Sequence, residues 1–182
     1  EFLDLKPRLA EPPHPKPVPK LAKTGIEFNH VSFQYPSESR KVLDDITLRI
    51  RPGEHIALVG ENGAGKTTLI KLLCRLYDAT EGKITLDGVD LRHCRITELR
   101  REISVIFQDY VRYHLTAREN IWLGNTHLPP DQEAIAVAAR QAGVDEVITG
   151  LTNGYDTVLG KWFEGGEELS VGEWQKLALA RA

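Results

Sequence analysis

Methionine is absent from the 182 residues of this chain, so its first residue is not an initiator and we expect a piece of a longer polypeptide. The sequence also has no apolar run long enough to cross a bilayer, and no signal-peptide pattern opens it. An excess of basic charge is missing too, since the formal net charge is −3. Proteins that bind nucleic acid usually carry a basic face, so we expect no nucleic-acid partner.

Cysteine is scarce, with Cys74 and Cys94 as the only two in the chain. Two cysteines do not form a disulfide framework, so we expect a reducing, cytosolic setting and two ordinary thiols. The six histidines are scattered without a pair at a metal-ligand spacing, which argues against a metal site built only from protein ligands. With 41% hydrophobic and 27% charged residues, the composition suits one globular domain with a core.

Proline is concentrated at one end of the chain. Residues 1–24 hold six of the ten prolines, interleaved with lysines. Such a segment favours extended polyproline II structure and has little to bury, so we predict a linker from an upstream domain. The alternative that the composition leaves open is a disordered tail.

A glycine-rich loop carries the clearest chemical signal. Residues 60–67 read GENGAGKT, and the apolar run His55–Val59 before them predicts a buried parallel strand. After the loop, apolar residues at helical spacing predict a helix with one stripe against a sheet, formed by Leu69, Leu72, Leu73 and Leu76. Such a loop cradles phosphate, because its backbone N–H groups and the positive end of the helix converge on the anion.

The loop residues have distinct roles in binding a nucleoside triphosphate. Gly60, Gly63 and Gly65 allow a tight turn and a close approach of the backbone to phosphate oxygens. Lys66 supplies a mobile cation for the β- and γ-phosphates, and the Thr67 hydroxyl is placed to ligate Mg²⁺. The competing interpretation is a chance glycine turn before a helix, which the strand–loop–helix context disfavours. We therefore predict that the chain binds a nucleoside triphosphate.

Further strands are predicted on either side of this loop. Ile103–Phe107 predicts a second buried parallel strand, and Gln108-Asp109 follow at its carboxyl end, where ligands bind in open α/β sheets. Lys83–Leu86 predicts a short strand that ends at the turn dipeptide Asp87-Gly88. Alternating apolar residues predict two half-buried antiparallel strands, on Val31, Phe33 and Tyr35 and on Ile46, Leu48 and Ile50.

The second half of the chain predicts helices. Thr116–Glu119 is a capping-box pattern that opens a short helix. Pro129–Asp131 starts another helix, one face of which is formed by Ile135, Ala138, Ala139 and Ala142. Residues 116–150 are therefore predicted to form a helical subdomain after the strand that ends at Phe107.

The segment Leu169–Gln175, LSVGEWQ, precedes the last helical stretch. Ser170 predicts a helix N-cap, with Glu173 reaching back to it in a second capping box. An apolar face would then consist of Val171, Trp174 and Ala178, with Leu177 beside it. A helix start that follows Gly165-Gly166 and carries Gly172 in its first turn is also an anion site. The residues alone leave the structural and the functional interpretation open.

Together these motifs resemble the nucleotide-binding domain of an ABC transporter. The phosphate loop, Gln108 after the next buried strand, and LSVGEWQ before LALARA occur in the family's order, and the resemblance covers residues 26–182. Shorter segments resemble the exporter branch, at residues 33–36, 87–91, 116–121 and 154–157. The resemblance implies an α/β fold: a P-loop NTPase core with parallel strands, an antiparallel β subdomain and an inserted α-helical subdomain spanning about 116–182.

The resemblance also implies a function for residues 25–182, as part of an ATP-binding motor domain. Such a domain couples ATP binding and hydrolysis, and head-to-tail dimerisation, to solute transport across a membrane. Its partners would be a second ATP-binding domain of the family and a transmembrane domain of the same polypeptide, at the cytoplasmic face of the cell membrane. Two alternatives stay open: a soluble ABC-type ATPase of DNA repair or translation, and a non-catalytic nucleotide-binding module.

The same resemblance implies roles for single residues. Tyr35 would stack on adenine, although taken alone it is typical of a strand-face aromatic residue. Lys66 and Gln108 would be catalytic, and Thr67 and Gln108 would ligate Mg²⁺. The full set implied to bind ATP is Tyr35, Gly60, Glu61, Asn62, Gly63, Ala64, Gly65, Lys66, Thr67, Thr68 and Gln108. The signature segment, residues 170–173, would instead contact ATP held by the partner domain, through Ser170, Val171, Gly172 and Glu173. Lys161–Gly166 would contact the coupling helices of the membrane part.

The chain departs from the family pattern in two ways. The usual signature is LSGGQ, whereas here Val171 replaces a glycine and Glu173 replaces the glutamine. Valine disfavours positive φ, so we expect an ordinary backbone there, and Glu173 brings negative charge toward a polyphosphate. The Asp that holds Mg²⁺ through water, the general-base Glu and a His for the γ-phosphate are expected beyond Ala182. We therefore expect no meaningful ATPase activity from this chain alone.

Overall fold

The structure is a computed structural model that describes residues 9–19, 23–107, 109–162 and 165–182. The chain forms two compact units, of which the first ends at Ile103 and the second runs from Ser104 to Ala182. Within the described ranges, no helix combines the length and the apolar character that a membrane span needs. Gln108, a predicted site residue, lies outside the described residues.

The first unit contains a four-stranded antiparallel sheet with the strand order β2-β1-β3-β4. Its strands are β1 (Ile26–Phe33), β2 (Leu43–Ile50), β3 (Glu81–Leu86) and β4 (Val89–Asp90). Phe28 pairs with Leu48 and Val31 pairs with Ile46 across β1 and β2. The predicted alternation is confirmed, because the apolar side of β1 is buried in the core and that of β2 is half-buried. Tyr35 lies just beyond the end of β1.

Asp87 and Gly88 form the predicted tight turn between β3 and β4. Their φ angles are 47° and 79°, the positive values that a type I′ hairpin requires. The Asp87 carboxylate also accepts hydrogen bonds from the backbone N–H groups of Thr24 and Gly25, each at 2.8 Å. The turn therefore fixes the point at which the chain enters β1.

The first unit includes the α-helices α1 (Lys66–Leu73) and α2 (Ile96–Arg101). Leu69 and Leu72 of α1 are buried in one core with residues of β1, β2 and β3. The prediction that Leu76 continues the buried stripe is wrong, because α1 ends at its C-cap Cys74 and Arg75 takes a left-handed φ of 48°. A left-handed residue directs the chain away from the helix axis, and Leu76 is exposed.

The two runs predicted as buried parallel strands, His55–Val59 and Ile103–Phe107, have no strand structure. Val59 is 92% exposed and Phe107 is 45% exposed. A buried parallel strand forms only when neighbouring strands supply its hydrogen bonds and helices cover both faces. Among the described residues, no ladder includes either run. The α/β class and the antiparallel sheet are confirmed, and the strand prediction for these two runs is corrected accordingly.

Residues 10–18, here called the N-terminal strap, lie on the first unit. The backbone N–H of Lys16 donates a hydrogen bond to the carbonyl of His93 at 2.8 Å. The Glu11 carboxylate accepts one from the backbone N–H of Ile96 at 3.0 Å, and so caps α2, whose own N-cap side chain makes no such bond. The composition predicted a segment with little to bury. An extended proline-rich backbone leaves its polar groups unpaired within the segment, and here they pair with the domain.

Arg75 anchors the strap to the first unit. Its side chain is 2% exposed, and its guanidinium donates hydrogen bonds to the carbonyls of Ala10 (3.0 Å) and Cys94 (2.8 Å) and to the Asp78 carboxylate (3.1 Å). Val18 of the strap packs against the core of the unit. The residue directly after the C-cap of α1 is therefore also the residue that anchors the strap.

The second unit is helical, as predicted. Its helices are α3 (Ala117–Trp122), α4 (Gln132–Gln141), α5 (Asp145–Thr149) and α6 (Val171–Arg181). They enclose a core around Trp174 that also contains Ile121, Ile135, Ala139, Ile148, Leu159 and Leu177. On the predicted face of α4, Ile135 and Ala139 are buried and Ala138 and Ala142 pack against the same core.

Both predicted starts of these helices are confirmed. At α3, Glu119 accepts a hydrogen bond from the backbone N–H of Thr116 at 2.9 Å, and the Thr116 hydroxyl accepts one from the N–H of Glu119 at 3.2 Å. At α4, the Asp131 carboxylate accepts a bond from the N–H of Ala134 at 2.9 Å. Each side chain satisfies a backbone donor that the helix itself leaves without a partner.

Candidate functional site

Helix α1 begins directly at the glycine-rich loop. Its N-cap is Gly65, which has a φ of 88° and, as a glycine, supplies no capping side chain. A Cβ atom at Gly65 would lie 2.6 Å from Cδ2 of Leu43 and 3.0 Å from the carbonyl oxygen of Val42, so both the conformation and the space require glycine. The first N–H groups of α1 therefore keep their capacity to bind an anion, which the helix dipole favours.

Lys66 folds back over the loop that precedes it. Its Nζ atom donates hydrogen bonds to the carbonyl oxygens of Gly60 and Glu61, each at 2.7 Å. A phosphate oxygen is a charged acceptor, and it binds an ammonium group more strongly than a neutral carbonyl does. The side chain that the sequence assigns to phosphate binding thus lies against the loop backbone.

The remaining loop residues are exposed. Ala64 donates its backbone N–H to the carbonyl of Glu61 at 3.2 Å, which closes a turn through Asn62 and Gly63. Gly63 has a φ of 84°, and apart from its chain neighbours no atom of the described residues lies within 4 Å of the position that a Cβ would take. The loop therefore presents its backbone to solvent, as a binding loop for a soluble ligand must.

The two threonines at the start of α1 have different surroundings. Thr67 is exposed, whereas Thr68 is buried and its hydroxyl lies 3.0 Å from the Tyr35 hydroxyl. The exposed Thr67 hydroxyl suits Mg²⁺, which prefers oxygen ligands. Thr68 instead connects Tyr35 to α1, a contact that the sequence did not indicate.

Tyr35 belongs to a cluster of aromatic rings. Its ring lies edge-on to Phe33, with centroids 4.9 Å apart, and edge-on to Tyr77, with centroids 5.2 Å apart. The Lys71 ammonium lies 5.7 Å from its centroid. Tyr77 is a member of this cluster that sequence reasoning missed, since nothing in its spacing connects it to Tyr35. Stacking of adenine on Tyr35 stays a prediction.

The signature segment begins helix α6 in the second unit. The Glu173 carboxylate accepts a hydrogen bond from the backbone N–H of Ser170 at 2.7 Å, and the Ser170 hydroxyl accepts one from the N–H of Glu173 at 3.4 Å. The predicted capping box is confirmed. The backbone N–H and the hydroxyl of Ser170 hold the pKa of the Glu173 carboxyl below its usual value, so this turn carries a negative charge at neutral pH.

Val171 and Gly172 leave an open surface at this helix start. Val171 lies within α6 and has no positive φ, as expected for valine. Its predicted place on the buried face with Trp174 is wrong, because it is 61% exposed. As the first residue of α6, it lies before the stretch that packs into the core. Apart from its chain neighbours and its own helix backbone, no atom of the described residues lies within 4 Å of the position that a Cβ on Gly172 would take, so the surface there is open.

Two residues after Gln108, the chain contacts the signature helix. The Tyr110 hydroxyl donates a hydrogen bond to the Val171 carbonyl at 3.2 Å, and the Arg112 guanidinium lies 5.8 Å from the Trp174 ring. Sequence reasoning missed both contacts, since they join distant positions and no motif marks them. The roles predicted for Gln108 itself, and for Phe163 and Glu164 within Lys161–Gly166, fall outside the described residues.

Comparison with known proteins identifies relatives over the whole chain. A family profile described as "ABC transporter" matches residues 43–182. The ATP-dependent lipid A-core flippase of Alkalilimnicola ehrlichii is 42% identical over 182 residues, which cover 100% of this chain and 30% of that protein. The subtilin transport ATP-binding protein SpaT of Bacillus subtilis is 36% identical over 100% of this chain and 29% of its own length.

A solved structure shows the same fold. The structure of a bacterial Atm1-family ABC exporter with ATP bound superposes with a TM-score of 0.85 at 33% sequence identity, covering 99% of this chain and 30% of that one. The chain therefore spans about 30% of the length of the proteins that it matches.

Proposed function

The chain belongs to the ABC transporter family, and from this we propose that it is the ATP-binding part of an exporter's motor domain. The observation that carries the proposal is the start of α1, where the N-cap Gly65 has a φ of 88° and supplies no capping side chain. Lys66 lies beside this start with its ammonium on the loop carbonyls. An uncapped helix start, a glycine turn and a mobile lysine together form a cradle for the phosphates of ATP.

We assign the chain's own nucleotide to the first unit. The backbone of residues 60–68 binds the phosphates, Lys66 neutralises the β- and γ-phosphate charge, and Tyr35 provides the aromatic face for adenine. Thr67, and Gln108 as the resemblance implies, would hold Mg²⁺, and the ion would neutralise charge that develops during phosphoryl transfer. The exposed hydroxyl of Thr67 supports this assignment.

The signature segment acts, in this proposal, on the ATP of a second ATP-binding domain. Ser170 and the N–H groups at the start of α6 converge on an anion, since the helix dipole is positive at that end. The exposed Val171 and the open surface at Gly172 support a close approach by that partner. ATP is then held between two domains, and its hydrolysis releases them.

ATP-binding domains of this family hydrolyse ATP in transporters. For this chain by itself we keep the prediction of negligible turnover, because its residues supply no assigned general base. The relatives named for transport or export favour the exporter over a soluble repair or translation ATPase. We propose that a transmembrane domain of the same polypeptide is the partner that moves solute, with the ATP-binding part at the cytoplasmic face of the membrane.

The proposal is tested by titrating the chain with a fluorescent ATP analogue in the presence of Mg²⁺. We expect saturable binding that ATP displaces, and loss of binding by at least about tenfold in Lys66→Ala, since one charge-assisted contact to phosphate is removed. Lys83→Ala removes an exposed lysine of β3 in the same unit and should bind as the parent does. Equal binding by all three proteins would refute a phosphate role for the loop.

A further inference from the structure

Residues 110–113 run beside α6, whose first turn is the signature segment. At one end of this run, the Tyr110 hydroxyl donates a hydrogen bond to the Val171 carbonyl at 3.2 Å. In its middle, the Arg112 guanidinium lies 5.8 Å from the ring centroid of Trp174. Trp174 is buried in the core, so the Arg112 contact ties the run to a part of α6 that is fixed by packing.

Arg181, the last residue of α6, contacts the same run at Val111 and Tyr113. Its guanidinium donates hydrogen bonds to the Val111 carbonyl at 3.0 Å, the Asn120 carbonyl at 3.0 Å and the Asn120 side-chain oxygen at 2.8 Å. It also lies 4.7 Å from the ring centroid of Tyr113. Asn120 is fully buried, and its amide nitrogen donates to the Tyr113 carbonyl at 3.0 Å.

The contacts of Tyr110 and Arg181 lie at opposite ends of α6. The 11 residues of α6 form a helix about 16 Å long, with the Val171 carbonyl near its start and Arg181 at its end. Contacts at each end therefore restrain both the tilt of α6 and its position along its own axis. Packing of Trp174 and Leu177 holds the middle of α6, and these contacts add restraints at its two ends.

We propose that Tyr110 and Arg181 are positioning residues for the signature segment. They fix the position and orientation of α6, and through it the position of Ser170 and Gly172 relative to the triphosphate held by the partner domain. This inference rests on the proposed function. The Tyr110 contact is the more direct of the two, because Val171 lies between Ser170 and Gly172 and its carbonyl belongs to the same turn.

The test measures steady-state ATP hydrolysis by the complete polypeptide that carries this chain. Tyr110→Phe removes only the hydroxyl, and we expect kcat to fall roughly three- to tenfold, the effect of one hydrogen bond. The KM for ATP should stay within about twofold, because the phosphate loop is unchanged. Arg181→Lys keeps the charge but loses the guanidinium fork, and the same pattern is expected. Tyr113→Phe keeps the ring that Arg181 contacts and should leave kcat unchanged.

A double-variant comparison separates positioning from general stabilisation. If Tyr110 acts through the signature segment, Tyr110→Phe should cost less than about twofold in a Ser170→Ala background. The inference would be overturned if the double variant lost kcat by the product of the two single effects. It would also be overturned if Tyr110→Phe had a normal kcat while Ser170→Ala was impaired. If Ser170→Ala hydrolyses ATP normally, the signature assignment fails and the inference fails with it. Loss of ATP binding in Lys66→Ala would still support the phosphate site.

Discussion

The Glu173 carboxylate accepts a hydrogen bond from the backbone N–H of Ser170, with 2.7 Å between Oε2 and N. Glu119 makes the corresponding bond to Thr116 at 2.9 Å. The described part of the second unit thus contains two capping boxes of the same design. Only the box of Ser170 and Glu173 lies where we propose that a phosphate binds. Each box is the matched control for the other.

Glu173→Gln should strengthen ATP-driven pairing of the complete protein. Glutamine also supports a capping box, so the helix start is kept while a negative charge near the polyphosphate is removed. We expect dimers at roughly three- to tenfold lower protein concentration, measured by gel filtration in Mg²⁺ and ATP. Glu119→Gln should leave pairing unchanged. Pairing that is weaker than, or equal to, that of the parent would contradict the expectation.

Acid should destabilise α3 through Glu119. The backbone N–H and the hydroxyl of Thr116 hold the pKa of the Glu119 carboxyl below its ordinary value of 4.5. Because the folded-state pKa is the lower one, this stabilisation is fully present above about pH 4.5 and is lost as pH falls through the folded pKa. The measurement is the free energy of unfolding in urea at about pH 6 and at about pH 3, on either side of the titration. Between these two values the parent should lose more stability than Glu119→Gln. Parallel curves would exclude this contribution.

Two glycines of the phosphate loop should differ in their tolerance of alanine. Gly65 and Gly63 both have positive φ, 88° and 84°, but only Gly65 has neighbours within contact of a new Cβ. Gly63→Ala should cost about 1 kcal/mol for the left-handed conformation. Gly65→Ala should lower the free energy of unfolding by at least about 1 kcal/mol more than Gly63→Ala does, because Leu43 must also move. Urea denaturation measures both, and equal losses would show that the overlap at Gly65 relaxes freely.

Arg75→Lys should destabilise the first unit and release the strap. Lysine cannot reproduce three hydrogen bonds in different directions, so we expect a loss of about 1–3 kcal/mol together with faster hydrogen exchange at the Lys16 amide. Arg49→Lys, in an exposed ion pair with Glu27, should change stability by less than about 0.5 kcal/mol. Unchanged exchange at Lys16 in Arg75→Lys would show that the strap is held without the guanidinium.

Features that depend on neighbouring residues were predictable from the sequence. The capping box of Ser170 involves a residue three positions away, and the turn at Asp87 and Gly88 depends on two residues that accept positive φ. Contacts between distant positions were not predictable. Arg75 and Ala10 are 65 positions apart, and Tyr110 and Val171 are 61 apart.

The same distinction explains the errors. The apolar run His55–Val59 has the composition of a buried strand, but composition does not supply the neighbouring strands that such a strand needs. In the site, the phosphate-loop residues followed from the local motif. The difference between Thr67 and Thr68 did not, because it depends on Tyr35, which lies 33 positions from Thr68.

The strap determines where a force applied to the chain before residue 10 would reach the first unit. Tension applied upstream of residue 10 meets the domain at the Lys16–His93 bond and at the Ala10 carbonyl, before it reaches β1. Arg75, which donates to that carbonyl, follows the C-cap of α1, and the other end of α1 begins at the glycine-rich loop. Through the strap, mechanical load on residue 10 would thus be transmitted to the helix that we propose binds nucleotide at its opposite end.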